Sequence, residues 1–153
     1  MEACGELALA DLAATEAAAA RLAPHLRPGD VVFLAGGLGA GKTAFARGVL
    51  RALGIAEEAP SPTFNLVLTY DAPVGTIWHF DLYRLAAPEE IHELGVEDAL
   101  AEGVALIEWP DRLGPLAPAE RLEIELTPGR RGGARRLRWR AHGGRAATLG
   151  RLL

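Results

Sequence analysis

Residues 36–43 read Gly-Gly-Leu-Gly-Ala-Gly-Lys-Thr and match the pattern G-x-x-x-x-G-K-[ST]. Glycines in this pattern let the backbone amides converge on a phosphate, and the helix that follows adds the positive end of its dipole. The apolar run 31–35 before the loop predicts a buried strand, and residues 43–53 after it have helical spacing. Strand, loop and helix in this order predict a P-loop that binds a nucleoside triphosphate. The candidate binding residues are Gly36, Gly37, Leu38, Gly39, Ala40, Gly41, Lys42 and Thr43.

Two side chains of this loop carry its predicted chemistry. Lys42 is the only lysine of the chain, and all the other basic residues are arginines. A single ammonium group in an arginine-rich chain indicates a site that a planar guanidinium does not fit. We expect Lys42 to bridge the outer phosphates as a catalytic group, and the Thr43 hydroxyl to coordinate Mg²⁺ beside phosphate oxygens and water.

Glu108 is the predicted acidic partner of the loop. A P-loop enzyme needs a carboxylate at the end of a neighbouring strand to hold the metal ion or its water, and Glu108 directly follows the apolar run 104–107. We therefore expect Glu108 to be catalytic and to bind magnesium at the nucleotide site. A strand-end carboxylate that is merely exposed to solvent is the alternative.

Asp81 is the second acidic candidate. It alternates with apolar residues, so the side chains of His79, Asp81 and Tyr83 are predicted to share one strand face. We expect Asp81 to bind magnesium or to orient the attacking water. An ion pair with Arg84 or another arginine is the alternative, and His79 by itself is more often structural than catalytic.

Thr63 follows Ser61 and Pro62 at a break between predicted elements. The position is typical of a switch threonine that senses the terminal phosphate and acts in hydrolysis. An ordinary turn with a capping hydroxyl is the alternative.

Length and composition limit the class of protein. The 153 residues predict a single domain, 1–153. No window approaches the length of apolar sequence that a membrane helix needs, and the first segment is acidic where a signal peptide is basic, so we expect a cytoplasmic protein without a membrane partner. The only cysteine, Cys4, has no second cysteine with which to form an internal disulfide.

Charge is unevenly distributed along the chain. Residues 1–125 contain all 20 acidic residues, whereas residues 126–153 contain eight arginines and no acidic residue. Such a basic end is typical of a solvated surface, but it also suits an acidic protein, a nucleotide or RNA. We expect contact with RNA through this end to be indirect or weak at most, and we rank it below contact with protein.

The remaining patterns predict an α/β fold with a P-loop NTPase-like sheet, in which parallel core strands are flanked by antiparallel strands and covered by helices. We predict a helix that begins after Asp11, ends near residue 26 and follows a short strand at 7–9. The other predicted elements are strands at 64–70 and 76–83, a helix at 88–94 that ends at Gly95, a strand at 104–109, and a hairpin of strands 121–127 and 135–140.

Four blocks, in this order, resemble the bacterial TsaE family, formerly YjeE. They are residues 36–43, Ser61-Pro62-Thr63-Phe64, His79-Phe80-Asp81-Leu82-Tyr83-Arg84 and Ile107-Glu108-Trp109-Pro110. The first block is shared by many NTPases, whereas the other three in this order are specific. Gly37 departs from the family pattern, because it replaces an acidic or amide residue.

The resemblance implies a helper ATPase of tRNA threonylcarbamoyladenosine synthesis. It implies that Lys42 and the loop bind ATP, that Thr43 and Glu108 hold Mg²⁺, and that Thr63 and Asp81 act in the switch or in hydrolysis. It also implies that the chain works with the TsaB and TsaD proteins on the adenosine next to the anticodon, with weak hydrolysis in their absence. The carbamoyl transfer itself would belong to TsaD.

Two other functions are left open by the sequence. A small-molecule or nucleotide kinase shares the P-loop and could use arginines 135–140 as phosphate clamps, but it needs a second substrate pocket and a lid. In a nucleotide-gated binding module, ATP would order segment 61–65 and hydrolysis would be incidental. A GTPase is disfavoured because guanine recognition by N-K-x-D needs adjacent Asn and Lys, whereas the only asparagine, Asn65, is far from Lys42.

Overall fold

A mixed sheet forms the centre of the computed structural model, which describes residues 3–37, 39–55, 66–87 and 89–153. Seven strands are found within these ranges, in the order β1-β7-β6-β2-β5-β4-β3. The strands are β1 (Ala3–Leu9), β2 (Val31–Ala35), β3 (Val67–Ala72), β4 (Gly75–Asp81), β5 (Val104–Glu108), β6 (Arg121–Pro128) and β7 (Arg135–His142). The helices are α1 (Leu12–Leu22), α2 (Lys42–Ala52), α3 (Glu90–Glu93), α4 (Val96–Glu102) and α5 (Gly144–Gly150).

The four inner strands are parallel. β2 pairs in parallel with both β5 and β6, and β4 pairs in parallel with β5. The outer strands β1, β7 and β3 pair antiparallel with their neighbours. This arrangement confirms the predicted sheet of parallel core strands with antiparallel flanks. Because the inner strands share a direction, their carboxyl ends meet at one edge of the sheet, where open α/β sheets bind ligands.

Both faces of β2 are covered by apolar side chains. Val32 and Leu34 belong to the core beneath α1, α2 and α5, whereas Val31 and Phe33 belong to the core beneath α3 and α4. A strand that is buried on both faces needs no polar alternation, which explains the unbroken apolar run that predicted it.

Several element boundaries differ from the sequence-based expectations. α1 ends at Leu22 and a 3₁₀ turn spans Ala23–His25, because Pro24 cannot continue an α-helix. The predicted helix before Gly95 is α3, but a second helix, α4, begins directly after this glycine, which adopts a left-handed conformation with φ 82°.

The two strands that carry acidic candidates end earlier than predicted. β4 ends at Asp81, so Tyr83 does not share its strand face and is exposed instead. β5 ends at Glu108 because Trp109 turns the chain into the left-handed region, with φ 59°, before a 3₁₀ segment at Pro110–Leu116. α5 was not predicted. In the described ranges, no helix is long and apolar enough to cross a membrane.

Candidate nucleotide and magnesium site

The predicted P-loop connects the carboxyl end of β2 to the first turn of α2. Three of its glycines have positive φ values that favour glycine, 136° at Gly36, 74° at Gly39 and 104° at Gly41. A Cβ atom on Gly36 would lie 2.2 Å from the carbonyl oxygen of Leu126 on β6, so a side chain cannot be accommodated there. The first amides of α2 have no partner one turn earlier in the helix and point toward the loop, which is the arrangement that binds phosphate. Leu38 lies outside the described residues.

Lys42 is buried at the mouth of this loop. Its Nζ donates hydrogen bonds to the carbonyl oxygens of Gly36 at 2.9 Å and Gly37 at 2.7 Å. The same ammonium lies 4.5 Å from the ring centroid of Trp109, within the range of a cation–π contact. Burial lowers the pKa of Lys42, and the nearby carboxylates Glu108 and Asp81 oppose this effect. The contacts place a positive group beside the loop amides, where an anion such as a phosphate is favoured.

Thr43 and Glu108 meet across the edge of the sheet. Thr43 Oγ1 lies 3.0 Å from Oε1 and 3.2 Å from Oε2 of Glu108, so the hydroxyl can donate to either oxygen. Glu108 is buried at the end of β5, with only 2% of its surface exposed. The alternative of a solvent-exposed strand-end carboxylate is therefore wrong.

Asp81 lies on the neighbouring strand, directly opposite Glu108 in the β4–β5 register. Its Oδ1 accepts a hydrogen bond from the backbone N–H of Tyr83 at 3.1 Å. Burial raises the pKa of Asp81, the hydrogen bond from Tyr83 opposes this rise, and the charge of Glu108 adds to it. Two strand-end carboxylates therefore lie side by side, close to the ammonium of Lys42.

The donor set fits a magnesium ion that is held together with a nucleotide. Within the described parts of the chain, no group of three or more His, Cys, Asp or Glu side chains could form a metal cage. Mg²⁺ at phosphate sites is instead bound through one or two protein oxygens, several waters and the phosphates themselves. The Thr43 hydroxyl beside the buried Glu108 carboxylate provides such oxygens.

Comparisons with known proteins identify the family of the chain. A family model described as "Threonylcarbamoyl adenosine biosynthesis protein TsaE" matches residues 9–137, which include the loop, Asp81 and Glu108. The chain belongs to the TsaE family. The resemblance based on the four sequence blocks is therefore confirmed.

Individual relatives carry the same family name. A Rickettsia conorii protein called tRNA threonylcarbamoyladenosine biosynthesis protein TsaE is 47% identical over 113 residues, which cover 73% of this chain and 65% of the relative. A Bacillus subtilis protein of the same name is 39% identical over 113 residues, which cover 73% of this chain and 70% of the relative. The match thus spans slightly less than two thirds of the R. conorii protein.

A solved structure shares the fold. The crystal structure of Bacillus subtilis YdiB has a TM-score of 0.79 and 30% sequence identity to this chain, and the match covers 97% of this chain and 93% of that one. The likeness therefore extends over nearly the whole of this TsaE-family chain.

Two residues at the site were not assigned a role from the sequence. His79 lies on β4 with its Nε2 2.6 Å from Glu108 Oε2, although the sequence favoured a purely structural histidine. Arg135, at the start of β7, reaches the P-loop, where its Nη2 donates to the carbonyl oxygen of Gly39 at 3.0 Å. The alternation of β4 placed His79 on the face of Asp81, but nothing in the sequence singled out Arg135 among the C-terminal arginines.

Three other arginines of β7, Arg136, Arg138 and Arg140, lie near carboxylates on the neighbouring strands. Arg136 donates to the Glu6 carboxylate on β1, and Arg138 lies 3.6 Å from the same side chain. In the β6–β7 register, Arg138 lies opposite Glu125 and Arg140 lies opposite Glu123. Glu6 therefore offsets part of the positive charge of this hairpin, which weakens the case for an RNA-binding surface. Thr63, the predicted switch residue, lies outside the described residues.

Proposed function

We propose that this chain is a magnesium-dependent ATPase that supports threonylcarbamoylation of the tRNA adenosine next to the anticodon, acting with TsaB and TsaD in the cytoplasm. The observation that carries the proposal is the contact of Thr43 with Glu108 beside the buried Lys42, at the mouth of a glycine loop. The family match supports the tRNA-modification role. Hydrolysis, its metal and its partners are parts of the proposal that need direct measurement.

The loop and Lys42 would bind the triphosphate. Lys42 donates to the carbonyl oxygens of Gly36 and Gly37, and with a nucleotide bound it would donate to phosphate oxygens instead. The ammonium and the loop amides would then donate to the same phosphate group. An arginine at this position would have to fit a larger planar group into a buried site, so lysine is the better donor here.

Thr43, Glu108 and Asp81 would hold the metal ion and orient the attacking water. A bound Mg²⁺ would neutralise the charge that develops on the transferred phosphoryl group. Thr43 and Glu108 would hold this ion, directly or through its waters. Asp81, whose pKa is raised by burial, would hold or receive a proton at its carboxylate and orient the attacking water. We expect slow turnover alone, as the resemblance to the TsaE family implies.

The proposal is tested by ATP hydrolysis of the natural chain with and without TsaB and TsaD, in the presence and absence of Mg²⁺. Lys42→Ala, Lys42→Arg and Glu108→Ala should each abolish the partner-stimulated turnover. Arg51→Ala is the matched surface control, because Arg51 forms an exposed ion pair with Glu16 on α1. Stoichiometric phosphorylation of a small acceptor would favour a kinase instead. Rapid ATP hydrolysis that does not change when TsaB and TsaD are added would contradict the tRNA-modification role.

A further inference from the structure

His79 is a completely buried polar side chain at the centre of the candidate site. It lies on β4, two residues before Asp81, and none of its surface is exposed. Its Nε2 lies 2.6 Å from Oε2 of Glu108, a short hydrogen bond between two buried groups. Its other nitrogen, Nδ1, is also buried and has no hydrogen-bond partner among the described residues.

The two nitrogens together define the tautomer of the ring. A hydrogen on Nδ1 would be a buried donor without an acceptor, and it would leave the lone pair of Nε2 facing a carboxylate oxygen. A hydrogen on Nε2 avoids both costs, because Nε2–H then donates to Glu108 Oε2. The remaining bare nitrogen is an acceptor, which is the less costly group to leave unpaired.

Thr43 alone does not fix the orientation of the Glu108 carboxylate. Its hydroxyl oxygen lies 3.0 Å from one carboxylate oxygen and 3.2 Å from the other, so it hardly distinguishes them. His79 contacts only Oε2 in the described structure. The histidine therefore selects which oxygen faces the strand and which faces the first turn of α2.

We infer that His79 is a positioning residue, which clamps Oε2 of Glu108 so that Oε1 is presented to Thr43 and the magnesium site. The inference rests on the proposed function, because it concerns how the predicted magnesium-side carboxylate is held. Side chains that orient a metal-binding group in this way commonly contribute as much as ten- to hundredfold to metal affinity. His79 acts through Glu108, and we assign it no contact with nucleotide or water.

Variants of His79 separate this role from simple packing. His79→Leu removes the donor and keeps an apolar side chain in the buried position. His79→Gln retains an N–H donor at a reach similar to that of Nε2. His92→Leu is the matched control, because His92 also pairs with a glutamate, Glu97, but at an exposed surface position on α3.

The experiment measures ATP affinity by calorimetry, first in EDTA and then across a titration with Mg²⁺. We expect His79→Leu to bind ATP normally in EDTA but to need about tenfold more Mg²⁺ to reach half of the metal-dependent gain in affinity. His79→Gln should recover most of this loss, and His92→Leu should match the natural chain. In partner-stimulated hydrolysis at a fixed, limiting Mg²⁺ concentration, the leucine variant should turn over more slowly than the natural chain, and added Mg²⁺ should restore its rate.

Other outcomes overturn the inference in distinguishable ways. An unchanged Mg²⁺ requirement in a folded His79→Leu protein would contradict it while leaving the proposed function intact. Equal losses in the leucine and glutamine variants, with ATP binding in EDTA also reduced, would indicate a packing role only. If His79→Leu does not fold, His79→Asn replaces it, because the amide of asparagine is too short to reach Glu108. A normal Mg²⁺ requirement in His79→Asn would then contradict the inference. Absence of any Mg²⁺ effect in the natural chain would overturn the proposed function as well.

Discussion

Thr43 Oγ1 lies 3.0 Å from Glu108 Oε1, and this hydrogen bond joins the first turn of α2 to the end of β5. The two residues are far apart in sequence and meet because β5 pairs in parallel with β2, the strand that leads into the loop. The glycine loop and the acidic groups are thereby held at one edge of the sheet by backbone pairing. The geometry of the site thus depends on the fold as well as on the loop sequence.

Replacement of Thr43 by valine should weaken magnesium-dependent ATP binding by roughly tenfold, since a hydrogen bond to a charged group contributes about 1.5 kcal/mol or more. Valine keeps the shape of threonine, so ATP binding in EDTA should change little. Calorimetry with and without Mg²⁺ measures both quantities. Thr148→Val is the control, because the Thr148 hydroxyl bonds to the Gly144 carbonyl on α5, away from the site. Equal effects of the two valine variants would refute a metal-side role for Thr43.

Asp81→Asn should stabilise the protein at neutral pH in metal-free buffer. Burial raises the pKa of Asp81, so the folded state holds this proton more tightly than the unfolded state. Stability therefore falls as pH rises from the unfolded pKa, about 3.9, through the raised folded pKa, and the loss persists above it. The Tm of the variant should exceed that of the natural chain at pH 7, and the two values should converge at about pH 3. A variant that is less stable than the natural chain at pH 7 would show that ionised Asp81 is stabilising.

Arg135→Ala should reduce ATP affinity by up to about tenfold, because it removes the hydrogen bond that braces Gly39 in the loop. Arg136→Ala provides the control, since Arg136 lies next to it on β7 but pairs with Glu6. Fluorescence titration with a labelled ATP analogue measures both variants under one salt condition. If both variants lose the same affinity, a general effect of positive charge explains the result better than a specific brace does.

Gly48→Ala should destabilise the fold by about 1–3 kcal/mol through overpacking. Gly48 lies in α2 where this helix crosses α1, and an added Cβ would lie 2.8 Å from the Cβ of Ala19. The clash opposes the gain of about 1 kcal/mol that alanine normally brings to a helix. Urea denaturation gives the change in free energy of unfolding. Gly132→Ala, which would meet no atom within 4 Å, should be close to neutral. A higher free energy of unfolding for Gly48→Ala would contradict this prediction, because it would show that α1 and α2 can move apart without loss of packing energy.

The sequence predicted the parts of the fold that local chemistry determines. The glycine loop, the apolar β2 and Glu108 at the end of β5 follow from residue types at fixed spacings. α4 was missed because Gly95 predicts a helix end, whereas in the structure it ends α3 and begins the next helix. α5 was missed because it is only seven residues long and begins and ends with glycine.

Contacts between strands could not be predicted in the same way. The Asp81–Glu108 pair and the His79–Glu108 hydrogen bond depend on the β4–β5 register, and a strand pattern fixes which face a residue is on, not its partner in the next strand. The same limit applies to Arg135, which reaches Gly39 only because the C-terminal hairpin packs beside β2. The contacts of Asp81, His79 and Arg135 could therefore be found only in the three-dimensional structure.

The most direct test of the proposed function is the amount of threonylcarbamoyladenosine formed on tRNA by limiting TsaB and TsaD supplied with an activated threonylcarbamoyl donor. We predict that the natural chain with ATP and Mg²⁺ supports repeated rounds of modification. Glu108→Ala, or a non-hydrolysable ATP analogue with the natural chain, should restrict the reaction to a single round. Equal yields with and without ATP hydrolysis would contradict the account.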